Sequence, residues 1–360
     1  MLELRVQALS IAVLLSSRKA GLHLQGRHFL ILKITLGKTQ GLEAMSRSGV
    51  IAAAAIDHRS PLTRMIAGAR GVEESAVTPA MVTEFKTAVT RVLTPHATAI
   101  LLDPEMGLPA AQARARNVGL LLAYEQTYWD HREPGMFPRL LGNWSVRKLK
   151  AAGANGIKVL LFYNPLDDAA LNERKRIWVE RIGAECAAED IPYFLEFVGY
   201  DLERGADTST AEYARMKPKI VIESIAEFSK PEYRADVLKV EMPVNLKFVE
   251  GTESFKGQRA QSRGEAMECF QQASEAAKKP FIYLSAGVSD AEFLEGLRMA
   301  GEARARFSGV LCGRATWMGG VPVYAKDGLA AFEDFLNTRG VANITAINDC
   351  LKTAVPWYSL

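Results

Sequence analysis

The chain has 360 residues, 48% of them hydrophobic, with a formal net charge of +3. That composition can fill a large core and suits one α/β barrel of about 250 residues with additions as well as it suits two domains. Residues 1–40 hold six basic residues against one acidic, Glu3, so the remaining chain carries −2, and a nearly neutral body without a basic stripe of interleaved aromatics excludes an electrostatic case for nucleic acid.

Cys186, Cys269, Cys312 and Cys350 lie far apart with no Cys-x-x-Cys pair, and the five histidines show no metal-ligand spacing. This pattern points to a reducing, cytoplasmic setting without structural zinc, and it argues against a zinc-dependent catalyst.

At the N-terminus, residues 9–16 (Leu-Ser-Ile-Ala-Val-Leu-Leu-Ser) have the apolar character of a signal-peptide core. Glu3 dilutes the segment before them, Arg18 and Lys19 follow directly, and the run is too short to span a bilayer. Residues 1–34 are therefore expected to be an N-terminal extension, disordered or loosely helical, or a start assigned too far upstream. Residues 35–360 are read as the folded body, with no membrane contact.

From residue 50 onward, short apolar runs alternate with amphipathic segments, the pattern of repeated βα units. The runs are Val50–Ile56, Ala99–Leu102, Gly119–Tyr124, Gly156–Tyr163, Tyr193–Val198, Val237–Met242, Phe281–Ser285 and Gly309–Cys312. Eight such strands close a single (β/α)8 TIM barrel. Helices with recognisable starts lie between them: Ala80–Leu93 after Thr78-Pro79, Val146–Ala152 after Ser145, and Ala291–Ala300 after Ser289-Asp290. Asp168–Glu189 is the longest helical segment, and Gly328–Thr338 and Asn343–Thr353 are expected as extra C-terminal helices. No linker, charge block or internal repeat marks a second domain.

Polar residues recur within, at the end of or just past these runs: Asp57, Asp103, Glu125, Lys158, Glu196, Lys239, Ser285 and Arg314. In a TIM barrel those positions line the C-terminal mouth, where active sites are built. Lys239 stands out, because Val237, Leu238 and Val240 make its surroundings those of a buried strand. Burial disfavours an ammonium, and a lysine freed of its proton is a nucleophile that condenses with a ketone. The plainer reading is an ion pair with Glu241, two residues on. Lys158 and Glu196, on the fourth and fifth strands, add a second amine and a carboxylate able to ferry protons; the plainer reading there is a Lys-Glu-Lys structural network.

Strand seven ends in Ser285-Ala-Gly-Val-Ser289 and strand eight in Cys312-Gly-Arg-Ala-Thr316. Loops in these two places often bind phosphate through backbone N–H groups; Gly287 and Gly313 would let the backbone approach an anion and Arg314 offers a forked donor. Two ordinary glycine turns with a solvated arginine are the alternative. At the end of strand one, His58 offers an acid/base group or a substrate contact, and Arg59 a charge for a second anionic group, unless both are ordinary rim residues.

The motifs Asp57-His-Arg59, Ile100-Leu-Leu-Asp-Pro-Glu-Met-Gly-Leu-Pro-Ala110, Gly119-Leu-Leu-Leu-Ala-Tyr-Glu125 and Glu180-Arg-Ile-Gly-Ala-Glu-Cys186 resemble the class I tagatose 1,6-bisphosphate aldolase family. So do Leu238-Lys-Val-Glu-Met-Pro-Val-Asn245, Tyr283-Leu-Ser-Ala-Gly-Val-Ser289 and Gly309-Val-Leu-Cys-Gly-Arg-Ala-Thr-Trp317. The resemblance covers roughly residues 35–355 and departs at position 58, where many members have glutamine. It implies that Lys239 forms a Schiff base with the ketose, that Glu196 is the main proton-transfer group, and that Lys158 and Asp57 assist. Ser285, Gly287, Gly313 and Arg314 would hold the phosphate on the dihydroxyacetone side. The implied reaction is reversible cleavage of D-tagatose 1,6-bisphosphate to dihydroxyacetone phosphate and glyceraldehyde 3-phosphate, with no cofactor or metal and a sugar bisphosphate as the only small-molecule partner. A 6-deoxy-6-sulfofructose 1-phosphate aldolase and a non-catalytic sugar-phosphate-binding barrel are the alternatives. The oligomeric state, including a homo-oligomer, stays open.

Overall fold

The computed structural model describes residues 34–126, 136–205 and 207–359, so the extension expected at residues 1–34 lies outside them but for its last residue. Leu36–Leu360 forms one compact unit. Within it, eight parallel strands close a barrel: β1 (Ile51–Ala55), β2 (Ala99–Leu102), β3 (Gly119–Ala123), β4 (Gly156–Phe162), β5 (Tyr193–Val198), β6 (Val237–Val240), β7 (Phe281–Tyr283) and β8 (Gly309–Cys312). Each strand pairs with its neighbour in sequence, and β8 closes onto β1 through Ile51↔Gly309 to Ala54↔Cys312. Every predicted run contains one of these strands. Where the runs overshoot, as at Tyr124, Tyr163, Glu241-Met242 and Leu284-Ser285, the extra residues have left the ladder and begin the loops of the mouth.

The strand register decides which residues share a face. Ala123, Lys158 and Phe194 are partnered across β3, β4 and β5, and Glu196, Lys239 and Ile282 across β5, β6 and β7, so both lysines and the glutamate lie on the inner face. The alternating positions, among them Leu122, Ile157, Val159, Leu195, Leu238 and Val240, point outward into the buried layer beneath the helices. The purely apolar flanks of Lys239 therefore pack against helices, while Lys239 itself points into the barrel.

The helix starts behave as their sequences dictate. Thr78, Ser145, Asp168 and Ser289 each accept a hydrogen bond at their side chain from a backbone N–H of the first turn. Helices Ser60–Arg70, Ala211–Phe228 and Arg263–Ala276 were not among the expected elements. The last was legible, because Ser262 and Glu265 form a reciprocal capping box; Ala211–Phe228 hides behind an internal Pro218, and Ser60–Arg70 begins without a side-chain cap.

At the C-terminal end the expected helices Gly328–Thr338 and Asn343–Thr353 need correction. Helix begins at Val321, and Leu336–Gly340 winds on as a π-helical segment into Val341–Cys350, so no loop separates the two. Gly328 is a kink inside the first (φ 83°, ψ −171°) rather than its start. Gly340, which reads as a breaker, is instead a contact point: a Cβ there would sit 3.2 Å from Leu336 and 3.3 Å from Leu93.

Barrel closure leaves no room at Gly309. Its φ of 139° is a conformation that side-chain-bearing residues rarely adopt, and a Cβ would stand 1.8 Å from the Ile51 carbonyl oxygen. Gly309→Ala is expected to lower unfolding free energy by on the order of 3 kcal/mol, measured by denaturant titration, because neither strand can retreat without opening the β1–β8 seam.

Candidate active site

Lys158, Glu196 and Lys239 inside β4, β5 and β6, with Asp57 and Glu125 just past β1 and β3, form one buried cluster of five ionisable side chains. Lys158, 2% exposed, donates to Asp57 Oδ2 at 2.9 Å and to Glu125 Oε1 at 2.8 Å, and lies 2.7 Å from Glu196 Oε2. Lys239, 5% exposed, stands 2.8 Å from the other oxygen, Glu196 Oε1. Glu196 therefore bridges the two lysines. Glu241, the alternative partner for Lys239 considered from sequence, pairs instead with Lys217 at 3.1 Å and accepts the Gly199 N–H at 2.8 Å.

The electrostatics are uneven across the cluster. Burial opposes the charge on Lys158, but Asp57, Glu125 and Glu196 outweigh it and hold the ammonium well above the ordinary lysine range. Burial also opposes ionisation of Glu196, yet Lys158 and then Lys239 prevail and hold its carboxyl low. Asp57 follows the same rule, with Lys158 as its chief stabiliser against burial. Glu196 is thus a carboxylate with an amine on each oxygen, the placement a proton shuttle needs.

The β7 and β8 loops meet at Gly287 and Arg314. Gly287 has φ 79°, and a Cβ built on it would fall 2.5 Å from the Arg314 guanidinium carbon, so only glycine lets the β7 loop lie against that group. Ala286 also has positive φ, 48°, which turns this loop sharply. Arg314 is half-buried; burial draws its pKa down while Glu196 and Asp57 oppose, which places the guanidinium within electrostatic reach of the cluster. Gly313 packs on β1, where a Cβ would be 2.8 Å from the Ala55 carbonyl oxygen. Ser285 is buried beside Cys312, whose thiol burial pushes up to about 12, so Cys312 stays protonated. A cavity of about 300 Å³ opens beside β6 and β7; Ser285 and Gly287 line it together with Lys217, Glu241, Asn245 and Lys247, so the loop has free space on that side.

At β1, His58 stacks edge-on against Trp317 with ring centroids 5.4 Å apart, and its Nδ1 lies 3.9 Å from Asp57. Burial holds its pKa at about 4 against the pull of Asp57, so the imidazole is neutral at pH 7. Arg59 is no solvated rim residue. It is 3% exposed, donating through Nη1 to Glu105 at 2.8 Å and through Nη2 to the Glu125 carbonyl at 2.6 Å. Asp103 turns away from the cluster to a fully buried ion pair with Lys86. The role of Trp317, which donates to the Ala55 carbonyl at 2.9 Å and backs His58, was not read from the sequence.

Fold and mouth together put the chain in the class of (β/α)8-barrel enzymes. A family model described as DeoC/LacD family aldolase matches residues 51–319. The chain is 48% identical over 331 residues to tagatose 1,6-diphosphate aldolase 2 of Enterococcus faecalis, covering 91% of this chain and 98% of that one. It is 45% identical over 331 residues to a tagatose 1,6-diphosphate aldolase of Listeria monocytogenes, covering 91% and 96%. Among solved structures, fructose-bisphosphate aldolase from Plasmodium falciparum shares the fold with a TM-score of 0.61 at 14% identity, over 85% of this chain and 92% of that one. The chain belongs to the DeoC/LacD family of aldolases.

Two outcomes follow from this geometry. His58 is neutral in the fold with a pKa of about 4 but titrates near 6.5 when unfolded, so its stabilising contribution is complete above about pH 6.5 and is lost as pH falls toward 4. Between pH 7 and pH 5 this residue should account for roughly 1–2 kcal/mol of lost stability, and denaturant titrations of His58→Gln should show that part of the slope removed. Gly287→Ala should displace the Arg314 guanidinium and raise KM for a phosphorylated substrate at least about tenfold, with Tm lowered by a few degrees because the position has φ 79°.

Proposed function

We propose that the protein is a class I aldolase that reversibly cleaves D-tagatose 1,6-bisphosphate to dihydroxyacetone phosphate and D-glyceraldehyde 3-phosphate through a Schiff base on Lys239. The observation that carries this reading is the Glu196 bridge: one carboxylate with Lys239 at 2.8 Å on one oxygen and Lys158 at 2.7 Å on the other, deep in the barrel mouth. The names of the Enterococcus and Listeria relatives support the choice of substrate.

In this mechanism Lys239 gives a proton to Glu196 and adds to the C2 ketone. Glu196 returns protons as the carbinolamine loses water, leaving a protonated imine. The imine accepts the C3–C4 bonding electrons as the C4 hydroxyl gives its proton to the Glu196 carboxylate, and C4 becomes an aldehyde carbon while C2–C3 becomes an enamine. Since the imine is the electron sink, the chemistry calls for no metal. Lys158 remains an ammonium, facing the oxygen on which negative charge grows, and Asp57 keeps it aimed there. Ser285, Gly287, Gly313 and Arg314 take the phosphate next to the ketone, with the Arg314 fork against the glycine turn. His58, as a neutral imidazole, serves the far half of the substrate, while Arg59, its two Nη groups taken by Glu105 and the Glu125 carbonyl, holds that side of the mouth in place rather than meeting an anion itself. The cytoplasm is the setting in which such a sugar bisphosphate would be met.

Steady-state assays with D-tagatose 1,6-bisphosphate, D-fructose 1,6-bisphosphate and a 6-sulfo sugar 1-phosphate, run with a chelator, test the reading. Tagatose bisphosphate should turn over undiminished by the chelator, and Lys239→Ala should lower kcat by at least about 10³-fold. Turnover of the sulfo sugar alone, or loss of activity on chelation, would overturn it.

A further inference from the structure

The mouth holds two buried lysines on one carboxylate, and only one of them can be the nucleophile. Their surroundings differ in the number of carboxylates each one meets. Lys239 has Glu196 at 2.8 Å, whereas Lys158 has Glu196, Asp57 and Glu125 at 2.7, 2.9 and 2.8 Å, three carboxylates around one ammonium. Two of those three face both ways: Glu196 also touches Lys239, and Asp57 feels Lys239 and His58 as well as Lys158. Among the described residues, Glu125 meets Lys158 alone through its carboxylate. It is 2% exposed, Oε1 accepts from Lys158, Oε2 has no partner among the described residues, and its main-chain carbonyl is pinned by the buried Arg59 at 2.6 Å. A buried carboxylate charge spent on one partner is a strong constraint on that partner's ionisation state.

We infer that Glu125 is a positioning residue that reserves Lys158 as a cation and thereby assigns imine formation to Lys239. The inference rests on the aldolase reading above and deepens it. Without Glu125, Lys158 keeps its desolvation but loses the contact that no other residue shares, and its amine becomes available to a ketone. The reaction then opened is ordinary condensation: the neutral Lys158 nitrogen bonds to C2, its two protons and the carbonyl oxygen leave as water, and borohydride, supplied as reductant, delivers hydride to carbon so that a stable secondary amine remains after protonation of nitrogen.

The test is borohydride trapping with dihydroxyacetone phosphate followed by peptide mapping in four proteins: wild type, Lys239→Ala, Lys239→Ala/Glu125→Gln and Lys239→Ala/Glu125→Asp. Wild type should carry the adduct on Lys239, and failure there would count against the aldolase reading itself. Lys239→Ala should trap nothing on Lys158. Both double variants should label Lys158 at least tenfold above Lys239→Ala; the aspartate, which keeps a carboxylate but draws it back by one methylene, supplies the result if the glutamine variant does not fold. Labelling of Lys158 already in Lys239→Ala, or none in a double variant whose melting transition matches that of Lys239→Ala, would overturn the inference.

Discussion

One carboxylate shared by two lysines is the interaction on which the rest of the mouth depends. Glu196 sits on the inner face of β5 directly beside Lys239 on β6, with the register Glu196↔Lys239 setting one contact and the approach of Lys158 from β4 setting the other. Removing water from three charges is costly, and the arrangement survives because every charge has an opposite within hydrogen-bonding distance. Asp57 and Glu125 complete the balance on Lys158, and Arg314 extends the field toward the β7 loop. The result is a site in which a proton can pass from Lys239 to Glu196 without leaving the cluster.

The barrel provides the rigidity this requires. Parallel register fixes which residues face inward, and the outward layer of Leu122, Val159, Leu195, Leu238 and Val240 anchors each catalytic strand beneath its helices. Glycines work where two backbones or a backbone and a guanidinium must nearly touch: Gly309 lets β8 reach β1, and Gly287 lets the β7 loop lie on Arg314. These two contacts join the closing seam of the barrel to the β7 loop, so the strand that completes the fold also delivers Arg314 to that loop.

Much of this was legible because period and placement carried it. Eight apolar runs implied eight strands, and a lysine inside the sixth implied a buried amine, because Val237, Leu238 and Val240 mark a strand covered on both faces. Capped helices announced themselves through Thr78, Ser145 and Ser289. The pairings were not legible. That Glu241 would turn to Lys217 and Gly199, or that Asp103 would leave the mouth for Lys86, depends on where helices pack, which no local pattern encodes. Arg59 reads from sequence as a charge for a second anionic group, with a solvated rim residue as the alternative; its burial between Glu105 and the Glu125 carbonyl is a tertiary fact that neither reading contains. Glu125 stood in view at the end of the third strand, but its bond to Lys158 became visible only once β3 and β4 were paired through Ala123↔Lys158.

The central claim is that the bond to the ketose is made by the amine on β6 with the β5 carboxylate as its proton partner. A crystal structure of the protein soaked with dihydroxyacetone phosphate reads this directly. The account predicts continuous density from Lys239 Nζ to C2, a Glu196 oxygen within hydrogen-bonding distance of the new nitrogen, and the phosphate beside Gly287 and Arg314. Density joining the ligand to Lys158, or a ketose bound in the mouth with Lys239 unmodified, would contradict it.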